Sequence, residues 1–193
     1  MMRKIELAGD KEEKEKRKKM WLTIIMVGIM ALSTAGFALN FASTETKKYN
    51  GFKFERSDSG WTTGSLPVAT TYLPSDVENI SSSGSFQSSD FSAKAYIILG
   101  QSIRAPAVEL ISALPLKNSQ MACLPEQEND SDCSDLPLKS CYDADSQNAV
   151  IIFKESNETS LSYRGYCLQI QGDEEGLLKA ADKAVFMAYG IIK

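Results

Sequence analysis

Residues 20–41, from Met20 to Phe41, run for 22 positions without a charged side chain, and no other feature limits the chain so strongly. At about 1.5 Å of rise per residue such a run makes a helix of roughly 33 Å, enough to cross a hydrocarbon core of about 30 Å. The expectation is a transmembrane helix over 20–42. It separates a charged tail, residues 1–19, from an outer domain. The tail holds eight basic and five acidic side chains, and Lys16, Arg17, Lys18 and Lys19 abut the apolar run. Basic flanks stay cytoplasmic, which predicts a single-pass protein of the cell membrane with its N-terminus inside. Gly36-Phe37-Ala38 offers a small-x-small cleavage pattern. The run is longer than a signal-peptide core, so an uncleaved anchor is expected.

Within the tail, Asp10 and Glu13 have capping-box spacing, and Glu12–Lys16, Glu13–Arg17 and Glu15–Lys19 are i,i+4 ion pairs. A solvated helical stem follows. The acids dilute the basic charge, which argues against a dedicated site for anionic lipid and leaves nucleic acid unsupported as a partner. In the apolar run Gly28, Ala31, Ala35 and Ala38 line one helix face. Small residues there allow close approach of another membrane helix. The expected partners are therefore the lipid bilayer and a membrane protein; no small-molecule ligand is specified.

All four cysteines, Cys123, Cys133, Cys141 and Cys167, lie beyond the run. No C-x2-C spacing suggests zinc, and an even number in an oxidising space points to two disulfides. Four cysteines allow three pairings. Cys123–Cys133 with Cys141–Cys167 is one expectation, and Cys133–Cys141 with Cys123–Cys167 is the alternative. Histidine is absent, which removes Ser-His-Asp and Cys-His catalysis and histidine-ligated zinc. No cofactor or metal is expected. Sequons at Asn79, Asn129 and Asn157 fall in segments that read as turns, as glycan acceptors must.

Residues 43–193 carry 13 basic and 20 acidic side chains, an acidic balance that disfavours polyanions. Alternation over 52–56 and the return at Trp61 predict a β-hairpin. Residues 67–73 read as a third strand, and Pro74 opens a short helical piece through Ile80. This small β unit spans 43–80, with 42–48 as a polar spacer. Residues 81–92 contain seven serines and are expected to be a mobile connector.

The body, 93–193, opens with a strong strand at 93–99. A helix follows from Pro106, stopped by Pro115, and then a strand near 119–124. Strands at 150–153, 159–164 and 166–171 suggest an antiparallel meander. A final helix should bury Leu178, Ala181, Val185 and Ala188 and leave Lys179 and Lys183 outside. The expected class is α+β: a mostly antiparallel sheet with two helices on one face, braced by disulfides.

Tyr49-Asn50-Gly51-Phe52 beyond the anchor, then Trp61, resembles a pattern in archaeal single-pass membrane proteins that have an outer disulfide-containing domain. So does the ending Cys167, Gly172, Ala180-Ala181-Asp182 and Gly190-Ile191. The resemblance covers short pieces, and it implies a cell-surface setting without lending an activity.

Three groups of residues bear on chemistry. Glu126, Glu128, Asp130, Asp132 and Asp135 could offer oxygen ligands to calcium, but they lack the glycine and distal glutamate of an EF-hand loop. An acidic, disulfide-clamped surface loop is the expectation. No nucleophile motif stands beside Ser119 or Ser134. Trp61 is either a core plug or an anchor for a partner. The expected function is a non-catalytic, membrane-anchored binding or scaffolding domain, as an accessory subunit of a membrane complex. The alternative is a pilin-like subunit, and a tethered hydrolase comes last.

Overall fold

The computed structural model describes residues 15–30, 45–100 and 105–193. The chain divides into two units, 1–44 and 45–193. In the first, residues 15–30 form a helix, α1. Thr23 Oγ1 donates to the Lys19 carbonyl at 3.0 Å. Trp21, Leu22, Ile24, Ile25, Val27 and Ile29 are each more than half exposed. Residues 31–42 of the expected span lie outside the described residues, as do Asp10, Glu12 and Glu13 of the expected stem. Among the described residues no helix is long and apolar enough to cross a membrane.

The second unit is α+β and contains two sheets. The smaller is antiparallel, in the order β1-β2-β3: Thr46–Tyr49, Phe52–Ser57 and Gly60–Thr62. Its first turn is Asn50-Gly51, both with positive φ (45° and 86°), the backbone that a two-residue hairpin requires. Strand β1 occupies part of the stretch expected as a spacer. Its residues are nearly all exposed, so it carries no apolar alternation to announce it.

The larger sheet has the order β4-β8-β9-β7-β5-β6. The strands are β4 (Ser81–Ser83), β5 (Lys94–Ile98), β6 (Asn118–Ala122), β7 (Asn148–Glu155), β8 (Ser160–Arg164) and β9 (Cys167–Gly172). Only β8–β9 is antiparallel; β4–β8, β5–β6, β5–β7 and β7–β9 are parallel. The antiparallel expectation thus holds for the small sheet and one hairpin, while the large sheet is mixed. The expected meander is rearranged, because β9 enters between β7 and β8. Continuous burial of Val150, Ile151, Ile152 and Phe153 goes with this, since a parallel strand is covered on both faces.

Besides α1 there are three α-helices among the described residues: α2 (Pro74–Val77), α3 (Ala105–Ala113) and α4 (Glu174–Ala188). Helix α3 links parallel β5 and β6, and α4 packs on α3 and on β7, β8 and β9. The small sheet reaches α4 through Phe54, whose ring meets that of Phe186 edge-on at 5.9 Å between centroids. Helix α4 is therefore enclosed by other elements, and its buried surface is wider than one stripe. Leu177 replaces Leu178 in the core, and Lys183, expected outside, is 3 % exposed.

Two further segments differ from expectation. Residues 67–73 form no strand, only an isolated bridge between Trp61 and Thr70. The amides of Thr71 and Tyr72 go instead to carboxylates of Glu109 and Asp182. The serine-rich connector is built, with β4 beside β8 and a 3-10 turn at Ser88–Phe91. Phe86 and Phe91 fasten it, with rings 5.0 and 5.9 Å from that of Tyr163.

The second face of the large sheet carries a separate apolar cluster of Ile98, Ala122, Val150, Ile152 and Cys167. The long β6–β7 connection covers it, contributing Leu124, Cys141 and Ala144. Disulfides Cys123–Cys133 and Cys141–Cys167 pin that connection, and no free cysteine remains.

Candidate functional site

Parallel strands β5, β7 and β9 all run towards one edge of the sheet, and a cavity of about 680 Å³ opens there. The topology accounts for its position. After β5 the chain turns through α3 to β6 on one side, and after β7 it leaves for β8 and β9 on the other. Where successive connections diverge, a space opens among the described residues outside the carboxyl ends of the strands.

Three distant stretches meet around this cavity: Ala105 and Pro106 at the start of α3, Glu155–Asn157 at the end of β7, and Asp173–Leu178 from the end of β9 into α4. Ser156 N donates to the Gly172 carbonyl at 2.9 Å, tying the ends of β7 and β9 together. Asp173 caps α4, its Oδ1 accepting from Gly176 N at 2.7 Å. Gly172 and Gly176 allow the strand and helix to approach closely. A Cβ on Gly172 would lie 3.0 Å from backbone atoms of Gly176 and Leu177, and one on Gly176 would strike Thr159 Oγ1.

The lining offers carboxylates of Glu155, Asp173 and Glu174, the Ser156 hydroxyl and the Asn157 amide, beside apolar Ala105, Pro106, Leu177 and Leu178. Ser156 Oγ accepts from Glu158 N at 3.2 Å. None of these lining residues is basic. The arrangement suits reversible capture of a ligand that donates hydrogen bonds and carries an apolar body.

The other residues singled out by sequence lie elsewhere, except one. Asn157 sits on the cavity rim, while Asn79 and Asn129 stand apart in turns; all three are exposed. Trp61 is packed in the core at 7 % exposure, with the Arg56 guanidinium 5.2 Å from its ring centre. Of the small-residue face only Gly28 is described, with open space where a Cβ would stand. Ala31, Ala35 and Ala38 lie outside the described residues. In the acidic loop Asp130 Oδ1 accepts from Asp132 N at 3.2 Å. No group of three or more carboxylate or cysteine side chains among the described residues could hold a metal ion.

A second polar grouping lies on the opposite face of the sheet. Lys94 Nζ donates to Tyr96 Oη at 3.0 Å and to Gln120 Oε1 at 2.7 Å, and Lys139 Nζ is 5.0 Å from the Tyr96 ring centre. The Lys94 hydrogen bond holds the Tyr96 phenol below its usual range. Neither grouping follows from a local motif, because each joins residues far apart in the chain. Val150–Phe153 was the usable signal: an unbroken apolar run marks a parallel strand, and parallel strands carry sites at their carboxyl ends. No family model, curated protein or solved structure matches the chain.

Proposed function

We propose that the chain is a single-pass membrane protein that holds a disulfide-braced α+β domain outside the membrane, and that this domain binds its ligand without chemistry. The cavity at the carboxyl ends of β7 and β9 carries the reading: its described lining combines hydrogen-bond acceptors with an apolar wall, which suits holding a ligand. The outer location is supported by the bridging of every cysteine, which suits an oxidising compartment. Membrane attachment is supported by the uncharged run from Met20 to Phe41 and by the exposed apolar side chains of α1. The small-residue face at Gly28, Ala31, Ala35 and Ala38 would then seat a partner helix, making the chain an accessory subunit.

The experiment is a thermal-shift screen of the detergent-solubilised full chain against small amines, polyols and short peptides. It is repeated with Leu178→Trp, which fills the cavity from a half-buried position. A ligand that stabilises the wild-type chain and not Leu178→Trp supports the reading, and equal stabilisation of both places binding elsewhere. For the subunit role, native co-purification should recover a membrane partner that Gly28→Leu with Ala35→Leu loses. Recovery of monomer alone counts against it.

A further inference from the structure

Helices α3 and α4 bring two carboxyl groups together against one stretch of backbone. Glu109 accepts from Thr71 N at 3.0 Å through Oε1 and from Thr71 Oγ1 at 3.3 Å through Oε2. Asp182 accepts from Tyr72 N at 2.7 Å through Oδ2. Successive amides of the 70–73 segment are thus held by acids 38 and 110 positions away. Asp182 is fully buried, and its Oδ1 has no hydrogen-bond donor. Its neighbour is the Glu109 carboxyl.

We propose that Glu109 and Asp182 share one buried proton, and that this proton latches the Thr70–Leu73 segment onto α3 and α4. Two ionised carboxylates side by side repel one another, and here Asp182 is fully buried and loses its hydration while Glu109 is only half-buried. With a proton on Asp182 the same geometry is satisfied, because Oδ1 then donates to Glu109 while Oδ2 keeps the Tyr72 amide. A metal ion fits poorly. Calcium takes about six to eight oxygens, and every carboxylate oxygen here except Oδ1 already accepts a hydrogen bond.

The surrounding charges do not neutralise the pair. On α4, Lys183 Nζ donates to the Glu78 and Ile80 carbonyls at 2.9 and 2.5 Å. Lys179 pairs with Glu175 at 2.7 Å and lies 5.2 Å from the Tyr72 ring centre. Beside α2, Glu78 accepts from Tyr49 Oη, and Asp76 accepts from Leu73 N. From α3 only Glu109 faces Asp182. Burial first, then Glu109, pushes the Asp182 carboxyl up from 3.8 to about 9. The folded state therefore retains a proton that the unfolded chain releases above its ordinary carboxyl value. The contribution is complete below that value and fades as pH rises, until folded Asp182 also ionises. Between those limits one proton makes the folding constant fall about tenfold per pH unit.

The test is urea unfolding of the full chain in detergent at pH 5, 6, 7 and 8, for wild type and Asp182→Asn. Asparagine keeps an acceptor for Tyr72 and supplies a permanent donor to Glu109. The ratio of folding constants, variant over wild type, should climb with pH across this range, by up to about tenfold per pH unit. A flat ratio overturns the shared proton. Should Asp182→Asn fail to fold, Glu109→Gln replaces it: its amide can donate to an ionised Asp182, so the pH dependence should weaken relative to wild type, while the burial of Asp182 keeps part of it. The same pH dependence in Glu109→Gln as in wild type overturns the proposal. So does abolition of the wild-type pH dependence by added calcium, which would make the occupant a cation.

Discussion

Removing each disulfide in turn should cost unequal amounts of stability, and the inequality can be worked out from the chain. Cys123–Cys133 closes a separation of 10 residues and Cys141–Cys167 one of 26. In the chain-entropy model these loops confine the unfolded state by about 2.7 and about 3.5 kcal/mol, a difference of about 0.8 kcal/mol. The structure adds a second effect in the same direction. Cys123–Cys133 closes a loop at the end of β6, whereas Cys141–Cys167 fastens the β6–β7 connection to β9 and keeps it over Ile98, Val150 and Ile152. Replacing the second pair with alanine frees that cover as well as the unfolded chain. The assay is denaturant unfolding of Cys123→Ala/Cys133→Ala and Cys141→Ala/Cys167→Ala, followed by Trp61 fluorescence in a Trp21→Phe background. The 141–167 variant should lose about 3.5 kcal/mol or more, and should bind a hydrophobic dye that the 123–133 variant does not. A larger loss for the 123–133 variant, or losses below about 1 kcal/mol for both, would refute the argument.

Three other outcomes follow from particular contacts. Phe186→Ala should cost about 3–5 kcal/mol in thermal or chemical unfolding, and a double-mutant cycle with Phe54→Ala should show coupling of about 0.5–1.5 kcal/mol. Gly84→Ala should be more disruptive than Gly165→Ala, though both glycines have positive φ (82° and 57°). A Cβ on Gly84 strikes the Tyr163 carbonyl while one on Gly165 meets open space, and comparing the two melting temperatures checks this. In an ultraviolet pH titration Tyr96 should ionise before Tyr49, Tyr72, Tyr163 and Tyr189, because Lys94 stabilises its phenolate while burial raises the others. Lys94→Met should raise that midpoint, while Tyr163, desolvated by burial, should ionise only at about 12.

What could be read from sequence depended on whether the cause lay nearby in the chain. The strand at 93–99 and the helix bounded by Pro106 and Pro115 were legible, since β-branched residues and prolines act locally; they appear as β5 and α3. The disulfides were legible as a class, and the pairing Cys123–Cys133 with Cys141–Cys167 was one of the expected sets. The strand expected at 67–73 failed for a distant reason. Val68, Thr70 and Tyr72 alternate, but the amides that would form a ladder are taken by Glu109 and Asp182. Lys183 followed the period of an exposed face, and its burial comes from the carbonyls of Glu78 and Ile80 and the elements packed over α4. For β1, the Asn50-Gly51 pair was the local signal, and the polar flank at 46–48 obscured it. The cavity joins Ala105, Glu155 and Asp173, which no spacing rule connects.

The enclosure of α4 also sets the order of events when the protein is made. Residues 45–172 encode both sheets, yet the helix that covers Phe54 of one and Leu168 and Ile170 of the other is encoded after them. Until residues 174–188 have emerged, the inner faces of both sheets stand without their cover. The domain therefore closes late, through contacts of large sequence separation, which are slow to form and leave apolar surface open to other chains meanwhile.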